Sequence, residues 1–180
     1  MPFESALQAE GKMNEWCTLK NMGEQLSQEE RARYARHLIL PEMGEEGQKK
    51  LKKSSVIVVG AGGLGSPTLL YLAAAGVGKI GIIDDDKVDI TNLQRQVIHS
   101  TAAVGSLKVE SAANRIRELN PEIEIIEHNI RLDVSNALEL LSDWDVVIDG
   151  TDNFPTRYTI NDACEILGTP CVFGSIHRFE

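Results

Sequence analysis

The sequence predicts an α/β protein built on a Rossmann-like, doubly wound, mainly parallel sheet with helices on both faces. Short β-branched runs alternate with helix-like segments along most of the chain. The runs are apolar throughout, which is typical of parallel strands covered on both faces. The first run leads into the glycine-rich segment VVGAGGLGSP. Because the chain stops just after a strand, we expect the sheet to be incomplete at its C-terminal side.

Length and composition are those of a globular protein. The 180 residues are 42% hydrophobic, which suits one domain or part of a larger one. The formal net charge of -9 argues against broad binding to nucleic acid or an anionic membrane. No segment reaches the ~20 apolar residues of a membrane-spanning helix, and no signal-peptide core precedes residue 27. We therefore expect a cytoplasmic protein.

The three cysteines form neither a disulfide framework nor a CxxC metal half-site, because Cys17, Cys164 and Cys171 are odd in number and widely spaced. Cys164 and Cys171 lie in apolar segments, and we expect both in the core.

The first predicted helix follows a segment without regular periodicity. Residues 1–26 are expected to form a flexible N-terminal tail. Ser27, with Glu30 three residues later, is a capping box that predicts a helix through about Leu40, and Pro41 ends it. The lysine-rich stretch EEGQKKLKKS is interpreted as a solvated, charged turn or helix.

From Ser55 onward the chain alternates strands and helices. The strand SVIVV leads to a helix with Ser66 as its N-cap and Pro67 as its first residue, ended by Gly76. The segments KIGIID, IEIIEHNI, DVVID and PCVFGS are the next four strands. Helices are predicted over 108–119, 134–141 and FPTRYTINDACEILG. The polar connection 85–107 is too long for a simple connector, and such loops are usually functional.

The glycines after the first strand indicate a phosphate-binding loop. Gly60, Gly62 and Gly65 fit the pattern GxGxxG, and Gly63 adds a fourth glycine. The pattern allows a tight turn, close approach of backbone to phosphate, and packing of helix on strand. Asp84 closes the second strand, where a carboxylate accepts hydrogen bonds from ribose hydroxyls. A purely structural turn is the alternative, and the loop alone does not distinguish NAD from ATP.

Charged residues further along favour a triphosphate. A dehydrogenase strand normally leads straight into a helix, whereas here Asp84 opens a polar loop with Asn92, Arg95 and Gln96, followed by Lys108. Arg95 or Lys108 alone is readily explained as a solvated cation. Because both follow the carboxyl edge of the predicted sheet, together they favour contact with phosphates.

The fourth strand ends in DGTDN, which carries two aspartates. Asp149 is expected to cap the strand or turn, and Asp152 to extend into the cleft. A carboxylate beside phosphates is repelled unless a cation intervenes, and Mg²⁺ binds one or two carboxylates together with phosphate oxygens. An Asx-turn at Asp152–Asn153 is the competing interpretation.

These segments resemble the ubiquitin-activating-type adenylyltransferases, most closely the ThiF/MoeB-type branch that activates small sulfur-carrier proteins in molybdopterin and thiamine biosynthesis. The resemblance extends from about Leu26 to Glu180 and rests on RYARHLIL, GAGGLGSP, DDDKVDITNLQRQ, GSLKVESA, LNPEIEI and DGTDNFPTRYTIN. It implies that residues 27–180 are the N-terminal part of a larger ATP-binding adenylation domain, and that the protein is a homodimer.

The resemblance also implies roles for individual residues. The implied nucleotide-binding residues are Gly60, Gly62, Gly63, Gly65, Asp84, Asp86, Thr91, Asn92, Leu93, Gln94, Arg95, Lys108, Asp152 and Asn153. Asp84 holds the ribose, and Asp152 binds Mg²⁺. The implied catalytic residues are Arg95, Lys108, Asp152 and Arg36, the last of which matches an arginine that reaches the ATP of the other subunit.

This chain departs from the family pattern in two respects. Thr91 stands where the family often has serine, which keeps the hydroxyl. The family's CxxC pairs for structural zinc do not occur within residues 1–180, so zinc is expected only in a part of the domain beyond them.

The implied reaction joins the C-terminal carboxylate of a small ubiquitin-like sulfur-carrier protein to the α-phosphate of ATP and releases pyrophosphate. A C-terminal carboxylate with a pKa of ~3.5 is ionised at neutral pH and needs no general base. His37, His99, His128 and His177 have no evident catalytic partner and are interpreted as structural or exposed.

Two other functions remain open from the sequence. An NAD-dependent oxidoreductase explains the glycines and Asp84, but it leaves Arg95, Lys108 and Asp152 without roles. A non-catalytic nucleotide-binding adaptor explains the same residues without a reaction. Neither nucleic acid nor membrane is expected as a partner.

Overall fold

A computed structural model describes residues 25–176. The described residues divide into two compact units at the boundary between Lys50 and Leu51. Of the predicted tail, only residues 25 and 26 are described, and Leu26 is buried. Cys17 and His177 lie outside the described residues.

The first unit is helical, with α1 at Gln28–Arg33, α2 at Ala35–Leu38 and α3 beginning at Gly44 and extending to Lys53. The predicted capping box is present, since the Glu30 N–H donates to Ser27 Oγ at 3.1 Å and the Ser27 N–H donates to Glu30 Oε2 at 2.7 Å. The predicted single helix is divided, because Tyr34 leaves helical geometry at φ -97° and ψ 15°. The lysine-rich stretch belongs to α3.

The second unit contains a parallel sheet, which among the described residues has five strands in the order β3-β2-β1-β4-β5. The strands are β1 Ser55–Val59, β2 Lys79–Ile83, β3 Glu124–His128, β4 Val146–Asp149 and β5 Cys171–Phe173. The helices between them are α4 Gly65–Ala75, α5 Lys108–Leu119, α6 Ala137–Leu141 and α7 Phe154–Leu167. This topology confirms the Rossmann-like fold class.

Two separate hydrophobic cores cover the faces of the sheet. Val56 and Val58 of β1 pack into one core with residues of α4 and α5. Ile57 and Val59 pack into the other core with residues of α6 and α7. Because successive side chains of a strand point to opposite faces, a strand buried on both faces is apolar at every position.

The start of α4 differs from the sequence prediction. The helix begins at Gly65 with Leu64 as its N-cap, so the assignment of Ser66 as N-cap and Pro67 as first residue is wrong. Ser66 is buried, and its N–H donates to the Gly62 carbonyl at 2.9 Å. The backbone of the glycine loop therefore starts the helix without a side-chain cap. Gly76, at φ 86°, ends it as predicted.

The cysteine prediction is correct for one residue only. Cys164 of α7 is buried, and burial raises the pKa of its thiol to about 12. Cys171 is exposed, as are the other residues of β5, which lies at the edge of the described sheet.

The predicted helix over 134–141 is shorter in the structure, at Ala137–Leu141. No helix among the described residues has the length and apolar character needed to cross a membrane.

Gly81 in β2 makes room for the indole of Trp144. A Cβ at this position would lie 2.6 Å from Trp144 Cη2 and 2.9 Å from Ile57 Cγ1. We expect Gly81→Ala to lower the free energy of unfolding by about 1–3 kcal/mol through overpacking, as measured by denaturant unfolding. The control is Gly174→Ala, because its Cβ would meet its nearest atom, Leu64 Cδ1, at 3.7 Å. Equal stability of the two variants would contradict this account.

Candidate functional site

A cavity of about 810 Å³ opens at the carboxyl ends of the strands. Its volume lies in the range of small-molecule sites, ~300–1,000 Å³. It is lined by the glycine loop, the acids that follow β2, and residues that follow β3 and β4. The lining includes Gly60, Gly62, Gly63, Asp84, Asp85, Asp86, Arg95, Gln96, Lys108, Ile130, Arg131, Leu132, Asp152, Asn153 and Arg157.

Most of the residues predicted from the sequence share this cavity. Gly65 and the segment 91–94 do not line it. Ile90–Asn92 form a 3₁₀ turn in which the Thr91 N–H and hydroxyl donate to Asp89 Oδ1 at 2.8 and 2.6 Å. Contact of Thr91, Asn92, Leu93 and Gln94 with the nucleotide stays a prediction. Arg36 is exposed on α2 in the first unit.

The glycine loop brings backbone segments into direct contact. Gly60 has φ 94°, which favours glycine, and a Cβ there would lie 3.0 Å from the Gly150 carbonyl oxygen. A Cβ at Gly65 would lie 1.8 Å from the Gly60 carbonyl oxygen, which no side chain tolerates. Gly65 does not line the cavity, but its missing side chain lets α4 start directly against the end of β1.

Asp84 connects the glycine loop to the end of β2. Its Oδ2 accepts the N–H of Ala61 at 2.8 Å, and its Oδ1 accepts the N–H of Asp86 at 2.9 Å. A carboxylate has about four acceptor positions, so two or so remain for donors in the cavity. This arrangement leaves the acceptor capacity that a ribose contact requires.

Lys108 and Arg95 supply positive charge to the cavity. Lys108 begins α5, is almost fully buried, and its Nζ lies 2.7 Å from Asp86 Oδ2. Arg95 is exposed, and its Cγ and Cδ would lie 3.5 Å from a Cβ at Gly63. The Arg95 side chain therefore extends along the glycine loop, whereas Lys108 forms an ion pair with Asp86.

Buried polar groups also support the loop after β4. Asp149 is 2% exposed, and its Oδ1 accepts the Thr151 N–H and hydroxyl at 2.8 and 2.6 Å, so it closes the turn as expected. Its Oδ2 lies 3.1 Å from Arg157 Nε. Arg157 Nη2 donates to the carbonyls of Thr151 at 2.8 Å and Gly174 at 3.2 Å. Arg157 thereby connects α7 to the residues after β4 and β5.

Asp152 lies between this turn and α7. Asn153, rather than Asp152, is the N-cap of α7, with Oδ1 accepting the Thr156 N–H at 3.0 Å. The side chain of Asp152 is exposed on the cavity and bonds no other residue in the described part of the chain. The Asx-turn interpretation therefore does not account for the Asp152 carboxylate.

His99 is buried among hydrogen-bond partners, and His128 is half-buried on β3. His99 Nε2 lies 3.0 Å from the Ala61 carbonyl oxygen, and Nδ1 lies 2.9 Å from Ser111 Oγ. Burial lowers the pKa of His99, and it also lowers the pKa of His128 on β3. The carbonyl only accepts, so neutral His99 carries its proton on Nε2 and accepts the Ser111 hydroxyl at Nδ1.

Two contributors to the site were not predicted from the sequence. Ile130, Arg131 and Leu132 form a wall of the cavity, and Arg157 supports the loop after β4. The wall residues follow β3 in the sequence, so the expectation that ligands bind at the carboxyl ends of parallel strands would have pointed to them. Arg157 had no comparable signal, since its partners are backbone carbonyls and a buried carboxylate.

The fold and the cavity together define a Rossmann-like protein with a glycine loop at a helix N-terminus, a carboxylate after β2 and cations on the carboxyl edge of the sheet. The ThiF family model matches residues 34–180, and the chain belongs to the ThiF family.

Named relatives come from bacteria and animals. The chain is 59% identical over 155 residues to the probable adenylyltransferase/sulfurtransferase MoeZ of Mycobacterium tuberculosis, covering 86% of this chain and 40% of that protein. It is 51% identical over 154 residues to the sulfur carrier protein adenylyltransferase of Thermus thermophilus, covering 86% and 57%. It is 53% identical over 161 residues to the adenylyltransferase and sulfurtransferase MOCS3 of Aedes aegypti, covering 89% and 37%. The chain thus spans well under two thirds of each relative.

Solved structures share the fold. The E. coli tRNA N6-threonylcarbamoyladenosine dehydratase TcdA, in complex with ATP, matches with a TM-score of 0.78 at 31% identity, over 82% of this chain and 60% of that chain. E. coli MccB with ATP matches with a TM-score of 0.73 at 29% identity, over 85% and 47%.

We expect Arg157→Met to lower the free energy of unfolding by roughly 3–5 kcal/mol, because it leaves the buried Asp149 carboxylate without its cation. Denaturant unfolding measures this effect. Arg115→Met is the control, because Arg115 forms an exposed ion pair with Glu118 and its loss should cost below ~1 kcal/mol. Equal effects at the two positions would show that the Arg157 contacts do not stabilise the fold.

Proposed function

We propose that the chain is the ATP-binding part of an enzyme that adenylates the C-terminal carboxylate of a small ubiquitin-like sulfur-carrier protein, releasing pyrophosphate. The observation that carries the proposal is the shared position of Arg95, Lys108 and Asp152 in one cavity with the glycine loop and Asp84. The names of the relatives, sulfur carrier protein adenylyltransferase among them, support it. ATP complexes of two structural relatives support the choice of nucleotide.

The cavity offers a complementary surface for each part of ATP. The remaining acceptor positions of Asp84 suit the ribose hydroxyls. The backbone of the glycine loop and the N-terminus of α4 suit the phosphates, because free N–H groups and the helix dipole favour an anion there. Ile130, an exposed residue that lines the same cavity, supplies apolar surface for the base.

The adenylation step depends on charge rather than on proton transfer. A carboxylate oxygen attacks the α-phosphorus, a new acyl–phosphate bond forms, and the bond from the α-phosphorus to the bridging oxygen of pyrophosphate breaks. The carboxylate is already ionised, so no base removes a proton. The barrier is the approach of an anion to a polyanion, and Arg95 and Lys108 lower it by preorganised positive charge. Lys108 must then share its ammonium group between Asp86 and the phosphates.

The residues present fit a magnesium ion. Asp152 offers an exposed carboxylate that bonds no other described residue, next to the proposed phosphate position. Mg²⁺ is usually held by one or two carboxylates and phosphate oxygens, and when bound it would neutralise phosphate charge. The carboxylates of Asp84, Asp85 and Asp86 also cluster. Because Asp86 already forms an ion pair with Lys108, Asp152 is favoured as the magnesium ligand.

The remaining parts of the proposal concern partners. We infer a homodimer in which Arg36 of one subunit reaches the ATP of the other, and the exposure of Arg36 is compatible with that role. The carrier protein is the acyl substrate, and MoeZ, MOCS3 and the T. thermophilus enzyme carry names in keeping with this chemistry.

Arg95→Ala and Asp152→Ala should each reduce carrier-dependent ATP–pyrophosphate exchange by roughly 10²–10³-fold, because each removes one charge interaction with the phosphates. The assay uses the full-length protein, and circular dichroism verifies that the variants are folded. Arg115→Ala, at an exposed position on α5, is the matched arginine control and should retain full exchange. Exchange that survives both changes would refute the assigned roles.

A thermal-shift comparison distinguishes ATP from NAD. We expect ATP with Mg²⁺ to raise the melting temperature by an amount that grows with the logarithm of its concentration relative to its Kd, and NAD to leave the melting temperature unchanged. Asp152→Asn should abolish the additional shift that Mg²⁺ gives over ATP alone. Stabilisation by NAD but not by ATP with Mg²⁺ would favour an oxidoreductase. ATP binding without adenylate formation would favour a non-catalytic adaptor.

A further inference from the structure

A buried histidine holds the glycine loop against α5. His99 is 8% exposed and Ser111, in the first turn of α5, is 9% exposed. Nε2–H of His99 donates to the Ala61 carbonyl at 3.0 Å, and Nδ1 accepts the Ser111 hydroxyl at 2.9 Å. The imidazole therefore bridges the second residue of the glycine loop to a helix that is distant in sequence.

A second path of contacts joins the same two elements. The Ala61 N–H donates to Asp84, the Asp86 N–H donates to the other oxygen of Asp84, and Asp86 pairs with Lys108 at the start of α5. Lys108 and Ser111 are one turn apart on that helix. The two paths form a closed ring of hydrogen bonds in which the N–H and the carbonyl of Ala61 are both held.

The segment that contains His99 also covers the next two glycines. The Gln96 Nε2 atom would lie 3.8 Å from a Cβ at Gly62, and the Arg95 side chain lies against Gly63. The segment is folded on itself, because the His99 N–H donates to the Gln96 carbonyl at 3.1 Å. His99 therefore fixes the distance between the glycine loop and the turn that carries Arg95.

We propose that His99 is a positioning residue for the nucleotide phosphates, acting through the Ala61 carbonyl that it holds. The inference rests on the proposed ATP site and deepens it. The Ser66 hydroxyl also donates to the Ala61 carbonyl, at 3.4 Å, so the imidazole supplies the shorter of two contacts. Without the imidazole, the peptide between Ala61 and Gly62 is held less firmly in the conformation in which Gly62 and Gly63 line the cavity. The affinity for phosphates then falls, while the surface offered to the nucleoside stays in place.

Two substitutions that differ by one methylene test this role. Gln places its amide nitrogen near the position of His Nε2, whereas Asn is too short to reach the Ala61 carbonyl. By calorimetry, we expect His99→Asn to weaken ATP binding by roughly 2- to 10-fold, the worth of one neutral hydrogen bond. His99→Gln should stay within about twofold of the wild type. The affinity for adenosine should be unchanged in both variants. General destabilisation of the fold would instead weaken the binding of ATP and adenosine alike.

Two further variants complete the design. Ser111→Ala keeps the imidazole but removes the hydroxyl that donates to Nδ1. It should therefore weaken ATP binding, but by less than His99→Asn does. This variant tests the role even if His99→Asn fails to fold. His128→Asn is the matched histidine control on β3, outside the cavity lining, and should leave ATP affinity unchanged.

The outcomes separate the two proposals. A wild-type chain that binds no ATP would overturn the proposed function together with this inference. If folded His99→Asn and Ser111→Ala bind ATP as tightly as the wild type does, the positioning role alone is overturned. Parallel losses for ATP and adenosine would also overturn it, because they would reveal a general structural role.

Discussion

The backbone of Gly65 lies so close to the Gly60 carbonyl that only a hydrogen atom fits on its Cα, and the rest of the site depends on this contact. It lets α4 start directly behind β1, so that the helix N-terminus faces the cavity. Gly60 in turn approaches Gly150 beyond β4, which brings the residues of the Asp152 turn beside the loop. Side chains at these positions would push apart the elements whose ends form the site.

The sequence predicted the features that follow from strand topology. Glycine spacing and apolar runs identified β1, α4 and β2, and the rule that parallel strands end at one edge placed Arg95, Lys108 and Asp152 together. Several failures concern contacts that have no sequence signature. Ser66 reads as an N-cap, but its N–H donates to the Gly62 carbonyl, so the residue lies inside the helix. Similarly, the Asp86 partner of Lys108 could not be inferred from spacing alone.

The site also shows how an acidic protein presents positive charge to an anion. The chain carries a formal net charge of -9, yet cations line the cavity, and those that are buried hold acidic partners. Lys108 pairs with Asp86, and Arg157 pairs with Asp149. A buried cation without a partner would be costly, so each acid compensates the charge of its cation and holds it in place. Arg95, on the exposed side of the loop, has water as its alternative partner.

The strand order has a consequence for how the domain folds. β1 pairs with β2 across one short helix. Its pairing with β4 joins distant parts of the sequence, as the hydrogen bond between Ser55 and Asp145 with a separation of 90 residues shows. Closing a long loop costs entropy before any contact compensates for it, and non-local pairing is slow. We expect the β1-α4-β2 half to gain structure first. The side of the cavity that holds Asp152 would then be the last to form, so the ability to bind nucleotide would report on completion of the fold.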